Sequence, residues 1–313
     1  MILVTGASGF VGKPLCEALT QAGYSIRTVT RDMTLADSNK VVYIESIGSQ
    51  TDWTEALKGV DTVIHLAARA HVIREREEHP LIVFKEINTF GTFKLAEQSV
   101  AGGVKRFIFL SSIAVNGEVT QEPFNIDSKP SPVSPYGISK FEAENGLQDI
   151  CKDSKMDLVI LRPPLIYGPA AKGNIERLIL LIQKGLPLPF GCIENKRTIL
   201  YVKNLIDLIL NIVSKKEKIN DTFLVADCES ISTKELTQNF ASILNPNLLL
   251  IPVPIPVLKL LGLLFGKSDE IKRLTGNLEI DISFLHEKLG WTPPYSTHQG
   301  LIETAKWYQE CTK

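Results

Sequence analysis

The chain has 313 residues and 44% apolar side chains, enough for one large or two modest domains with a buried core. Lys and Arg (34) nearly balance Asp and Glu (35), and no basic block occurs, so composition gives no support for nucleic-acid or anionic-membrane binding and points to a small-molecule partner. Cys16, Cys151, Cys192, Cys228 and Cys311 are scattered, without CxxC or Cys/His pairing. That argues against a metal site or a disulfide framework and for a reducing cytoplasm, and the opening MILVTGASG is not a signal peptide.

In chain order, ILVTG (2–6), SIRTVT (25–30), VVYI (41–44), TVIHLA (62–67), RFIFLSS (106–112) and LVILRP (158–163) are short, β-branched and bounded by turn residues or charges, as strands are. KPLCEALTQAG, WTEALKG, INTFGTFKLAEQSVAGG and YGISKFEAENGLQDICKD, between them, have helical spacing. The alternation predicts an α/β protein with a Rossmann-type, doubly wound parallel sheet. Beyond about residue 165 the rhythm loosens into helices at GNIERLILLIQKGLPLP and VKNLIDLILNIVSKK, a strand at TFLVA, a capped helix at STKELTQNFASIL and a closing segment from residue 282. This reads as a dinucleotide-binding domain over 1–165 and a smaller mixed α/β substrate-binding domain over 166–313, whose segments can interleave.

The run LLLIPVPIPVLKLLGLLFG (248–266) approaches the length of a membrane span, but Pro252, Pro254 and Pro256 break its first half, and about ten helical residues are too few where ~20 are needed. A buried strand end followed by a short core helix is the expectation, with an interfacial helix as the alternative.

Gly6, Gly9 and Gly12 lie between the first strand and the first helix, where glycines permit a tight turn and close approach of a pyrophosphate to the helix N-terminus. The second strand ends Thr30, Arg31, Asp32. An NAD site commonly has an acid at the strand end for the ribose hydroxyls, whereas Arg accommodates the extra phosphate of NADP. With Thr30 in the acid's place and Arg31 next, NADP(H) is put ahead of NAD(H); the competing reading is a solvated Arg31 with Asp32 on the ribose.

With TGASGFVG, HLAA (65–68), NTFGT (88–92), SSIAVNG (111–117), SPYGISK (134–140) and LRPPLIYGP (161–169) in order, the chain resembles the extended short-chain dehydrogenase/reductases of the NAD-dependent epimerase/dehydratase family. The resemblance implies Tyr136 as catalytic acid/base, Lys140 as its partner and Ser112 as the hydroxyl beside the reacting oxygen. A lysine ammonium one helical turn away is expected to lower the phenol from its ordinary ~10. It implies cofactor contacts at Phe10, Val11, Leu66, Ala67, Ala68 and Asn88, while Ser46 stands where the family often has an adenine-binding Asp. It also implies a UDP-sugar substrate held by Asn174, Arg197 and Arg273, and a homodimer. Asn174 as a helix cap and Arg273 as a surface charge are the plainer alternatives.

Dehydratases of the family carry an acidic pair after the catalytic hydroxyl, whereas Ser112 is followed by Ile113 and Ala114, which transfer no protons. Arg31 favours a reductase, and the run GLPLPFGCIENKRTILYV resembles reductases that form N-acetylated 6-deoxy sugars, which implies reduction of a UDP-4-keto-6-deoxy-N-acetylhexosamine for bacterial surface polysaccharide (O-antigen) synthesis. A UDP-hexose 4-epimerase is the second reading. A dinucleotide-sensing regulator is the third, disfavoured because Tyr136, Lys140 and Ser112 are all kept.

Overall fold

The short apolar runs become strands in the computed structural model, which describes residues 1–37, 40–70 and 79–311. In chain order the strands are β1 (Ile2–Thr5), β2 (Ile26–Thr30), β3 (Val41–Tyr43), β4 (Thr62–His65), β5 (Arg106–Leu110), β6 (Asp157–Arg162), β7 (Leu165–Tyr167), β8 (Arg197–Tyr201), β9 (Thr222–Leu224) and β10 (Ser230–Ile231). The helices are α1 (Gly12–Gln21), α2 (Thr54–Leu57), α3 (Pro80–Lys85), α4 (Gly91–Ala101), α5 (Pro135–Cys151), α6 (Asn174–Gln183), α7 (Val202–Ser214), α8 (Thr233–Leu244), α9 (Ile255–Leu264), α10 (Ser268–Thr275), α11 (Ser283–Leu289) and α12 (Thr297–Cys311). A π-helical turn, Glu86–Phe90, precedes α4.

Two units result. The first comprises Met1–Gly117, Lys129–Pro163 and Leu208–Leu224, and the second Glu118–Ser128, Pro164–Asp207 and Val225–Lys313. In the first, seven strands run in the order β3-β2-β1-β4-β5-β6-β9, every neighbouring pair parallel. The order reverses between β1 and β4, the place where such sheets open a crevice at their carboxyl ends. The register there pairs Thr5 with His65. Leu3, Val63, Phe107, Phe109 and Ile160 of the central strands are buried with Trp53, Leu95 and Leu147, each such side chain contributing about 1.5–3 kcal/mol.

TFLVA was expected in the second part, but Thr222–Leu224 pairs with β6 and extends the first unit's sheet. A three-residue strand carries no signal of which sheet it joins; the chain reaches it through the end of α7, already in the first unit.

The second unit holds a small mixed sheet of order β10-β8-β7, with β7 parallel and β10 antiparallel to β8. α8 begins with the expected capping box of Ser232 and Glu235. The 248–266 run corrects its expectation: Leu250 bridges Leu188 as a strand end would, but α9 is no core helix, burying only Leu258 and Gly262. Among the described residues no helix is long and apolar enough to cross a membrane.

Candidate active site

The loop after β1 closes on itself. Gly6 has φ +69°, and a Cβ there would lie 2.8 Å from the Ala67 nitrogen; one on Gly12 would lie 2.1 Å from the Gly6 oxygen. The Gly9 N–H donates to the Gly6 carbonyl at 3.0 Å. Phe10 and Val11 lead into α1, whose first turn has no side-chain cap. An uncapped N-terminus behind a loop no larger residues could form suits a dinucleotide's pyrophosphate. Leu66, Ala67 and Ala68 continue β4 and are half-buried.

Where β2 ends, the Thr30 hydroxyl accepts the Asp32 N–H at 3.0 Å. Asp32 accepts from the Thr34 N–H and hydroxyl at 3.0 and 2.7 Å, which hold its carboxyl below the ordinary range. Arg31 is exposed on that turn, as is Ser46 after β3.

His65, fully buried, anchors a directional chain of hydrogen bonds. The Thr92 hydroxyl donates to the Asn88 carbonyl at 2.7 Å, so it accepts from His65 Nε2 at 3.0 Å. The proton is thereby placed on Nε2, and Nδ1 accepts from the Thr5 hydroxyl at 2.7 Å, which in turn accepts the Ala67 N–H at 3.2 Å. Burial, with the Lys140 charge adding to it, pushes His65 down to about 3, so the ring is neutral. Asn88, also fully buried, accepts from the Arg69 N–H at 2.7 Å and donates to the Arg69 carbonyl at 3.1 Å and to Ser139 Oγ at 3.0 Å. One network thus ties the glycine loop, the end of β4, the π-helical turn and α5.

SPYGISK starts α5 as its composition dictates. Ser134 accepts the Gly137 N–H at 3.2 Å, Pro135 occupies the first turn, and a Cβ on Gly137 would meet the Ala114 carbonyl at 2.7 Å, so only glycine lets the helix approach the turn after Ser112 so closely. Ser112 accepts the Ala114 N–H at 3.2 Å and is hydrogen-bonded to the Tyr136 phenol. Lys140, 1% exposed, donates to the Leu110 carbonyl at 2.8 Å and lies 4.3 Å from the centre of the Phe109 ring.

The electrostatics correct one expectation. Burial pushes the Tyr136 phenol up, to about 12, against the pull of Ser112, instead of the ammonium lowering it. The lysine is itself desolvated: burial pushes Lys140 down to about 7, and Glu144 opposes this. Glu144, four residues further on α5, is committed to Arg162, whose Nε lies 3.0 and 3.1 Å from its two oxygens and Nη2 2.5 Å from Oε2; it also accepts from Ser111.

The second unit places the remaining residues. Asn174 is exposed as the first residue of α6; Gly173, not Asn174, is the cap. Arg197, half-buried at the start of β8, donates to the Arg273 carbonyl at 2.8 Å and the Gly276 carbonyl at 3.1 Å. Burial pulls its guanidinium down from the ordinary value, with Glu118 opposing. Arg273, exposed on α10, pairs with Glu118 at 2.8 Å. Arg197 and Arg273 are therefore brought together, while Asn174 makes no hydrogen bond to either.

The sequence reading passed over His65, Ser139, Glu144 and Arg162. Glu144 alone had a readable signal, lying four residues beyond Lys140 and eight beyond Tyr136 on one helical face.

A model of the NAD dependent epimerase/dehydratase family matches residues 2–226. The chain is 44% identical over 309 residues to a UDP-glucose 4-epimerase of Vibrio cholerae, covering 97% of this chain and 94% of that one. It is 27% identical to the N-acetyl-alpha-D-glucosaminyl-diphospho-ditrans,octacis-undecaprenol 4-epimerase of Escherichia coli O157:H7, covering 98% and 94%. The crystal structure of the Thermotoga maritima UDP-glucose 4-epimerase with UDP-glucose superimposes with a TM-score of 0.79 at 25% identity, covering 100% and 99%.

Proposed function

This chain belongs to the NAD dependent epimerase/dehydratase family, and on that premise we propose that it is a 4-epimerase of UDP-hexoses that retains NAD through its cycle. The observation carrying this reading is the 44% identity to a UDP-glucose 4-epimerase across nearly the whole of both chains, together with the presence of Ser112, Tyr136 and Lys140. Ile113 is buried and Ala114 has no side-chain acid, so nothing beside Ser112 serves the proton transfers of a dehydration. The 4-keto reduction with NADP(H) suggested by Thr30 and Arg31 finds no support among these relatives, and an exposed arginine on a turn is the solvated residue of the competing reading.

The glycine loop and the uncapped N-terminus of α1 would hold the pyrophosphate, with Leu66, Ala67 and Ala68 alongside. Bound there, NAD would supply the hydride acceptor and donor for C4. Tyr136 takes the proton of the C4 hydroxyl as the C4–H electron pair leaves, and gives it back on return to the opposite face. Ser112 donates a hydrogen bond to the C4 oxygen, whose charge changes during the step. A phenol held near 12 stays protonated at neutral pH in the unliganded chain, and Lys140, able to gain or shed a proton near pH 7, is the group we assign to support the phenolate once the site is occupied. Asn88, bonded wholly within the protein, holds Arg69 and Ser139 in place. Arg197 and Arg273 bind the substrate diphosphate, for which guanidinium groups are suited. Pairing of two copies through α5 is part of the proposal and is read by light scattering.

Purified protein should interconvert UDP-glucose and UDP-galactose, or their N-acetylated counterparts, without added reductant, as followed by NMR. Failure to do so, combined with stoichiometric NADPH oxidation on a UDP-4-keto-6-deoxy sugar, would establish the reductase instead.

A further inference from the structure

An ordinary surface helix hides its apolar side chains and shows its polar ones. α9 shows most of its apolar side chains. Leu258 and Gly262 are buried, Gly262 against Ile271 of α10, while Val257, Leu260, Leu261, Leu263 (70%), Leu264 (70%) and Phe265 (74%) are exposed. Leu249 and Ile251, just before the prolines, are exposed as well. Large contiguous apolar patches on soluble proteins mark docking surfaces.

Charge selects the occupant. Lys259 lies within α9, Lys267 immediately after it, and Lys272 and Arg273 on α10, against Asp269 and Glu270, in a chain whose formal net charge is −1. Lys267 pairs with Glu270 and Arg273 with Glu118, while Lys259 and Lys272 have no ion pair among the described residues. A short helix with Leu and Phe exposed and lysines at its margins has the chemistry of an interfacial helix, whose apolar side chains enter the acyl boundary while its cations meet anionic headgroups. A second copy docking by two-fold symmetry would bring two sets of these lysines into one interface. The balanced overall composition hid this, because the cations are local.

We propose that α9, with Lys259 and Lys267, is a membrane-surface anchor that docks the second unit reversibly onto anionic phospholipid without spanning the bilayer. The inference does not depend on which sugar reaction the protein performs. It is tested by sedimenting the full chain with vesicles of phosphatidylethanolamine and phosphatidylglycerol, and with vesicles of phosphatidylcholine alone, at low and high salt. The expected result is binding to the anionic vesicles, weakened by salt, reduced about tenfold or more in Leu263→Asp/Leu264→Asp, and reduced less in Lys259→Gln/Lys267→Gln. All these side chains are exposed, so turnover of a soluble UDP-sugar should be unchanged and certifies the fold. No sedimentation of the unaltered chain, or equal binding by the Leu double variant, overturns the proposal. A change in oligomeric state caused by that variant, seen by light scattering without vesicle binding by the unaltered chain, assigns the patch to a second copy.

Discussion

His65 in the first unit and Arg197 in the second each bond two neighbours, but in different surroundings. His65 is wholly buried, and the direction of every hydrogen bond around it is fixed by the Thr92 hydroxyl, so one tautomer and one ring orientation survive. Arg197 is half-buried and donates to two backbone carbonyls, and its neighbour Arg273 is held by an exposed carboxylate. Lys140, Glu144 and Asn88 resemble His65 in this respect, and Asn174, exposed at the start of α6, is less constrained still. On the proposed reading, the groups of hydride and proton exchange are backed by buried, hydrogen-bonded neighbours that packing holds in place. On the same reading, recognition of a sugar nucleotide falls to Arg197 and Arg273, whose partners can be exchanged for a ligand's oxygens.

The contrast breaks most visibly at the reacting groups. Tyr136→Phe should lower kcat by about 10³- to 10⁴-fold with cofactor binding and melting temperature nearly unchanged, measured by turnover and by fluorescence titration of NADH. Retained turnover would remove Tyr136 from the chemistry. Glu144→Gln leaves Arg162 buried without its counter-charge and should cost about 3 kcal/mol in urea unfolding, a loss no exposed acid of the chain should match. Arg197→Ala, in the adaptable set, should raise KM for the UDP-sugar by about 10- to 100-fold with a small change in kcat; an equal fall in kcat would place Arg197 with the reacting groups.

A pH effect on stability separates two of the buried groups. Unfolded, His65 takes up a proton as pH falls through about 6.5, whereas in the fold it stays neutral to about 3. Stability should therefore decline as pH falls below 6.5, by up to about 1.4 kcal/mol per pH unit, and His65→Gln should flatten that decline between pH 6.5 and 5.5. Lys140 acts in another window: unfolded it stays protonated to about 10.5 but folded only to about 7, so stability gains as pH rises between those values, and Lys140→Met should abolish that gain. The smallest effect is expected at exposed Arg31. Arg31→Ala should leave NADH affinity within a factor of about two, and a selective loss of NADPH binding would restore the NADP(H) reading.

The parts legible in the sequence were those with local signatures. The six strands of the first 165 residues, the glycine loop, the Ser134 start of α5 and the capping box of α8 each depend on neighbours a few residues away. β9 was misplaced and β7, β8 and β10 were not foreseen, because no strand-and-helix alternation marks them and their partners are distant in the chain. His65 was hidden for the same reason: TVIHLA states a strand, but the duty of its histidine depends on Thr5, sixty residues before it, and Thr92, twenty-seven after. The upward displacement of the Tyr136 phenol was missed because spacing on a helix gives the neighbour and not its desolvation. α9 was misread because apolar composition says that a surface will be covered, not by what.

The central claim is that the hydride leaving C4 comes back to C4 without exchange with outside cofactor, while Tyr136, Ser112 and Lys140 handle the proton and the charge on the C4 oxygen. UDP-glucose deuterated at C4, incubated with the enzyme in the presence of excess unlabelled NADH and NADPH, tests it directly. The account predicts UDP-galactose that retains deuterium at C4 with no net oxidation of either added cofactor. Product that has lost its deuterium to the added pool, or turnover only of a UDP-4-keto sugar with NADPH consumed, would contradict it.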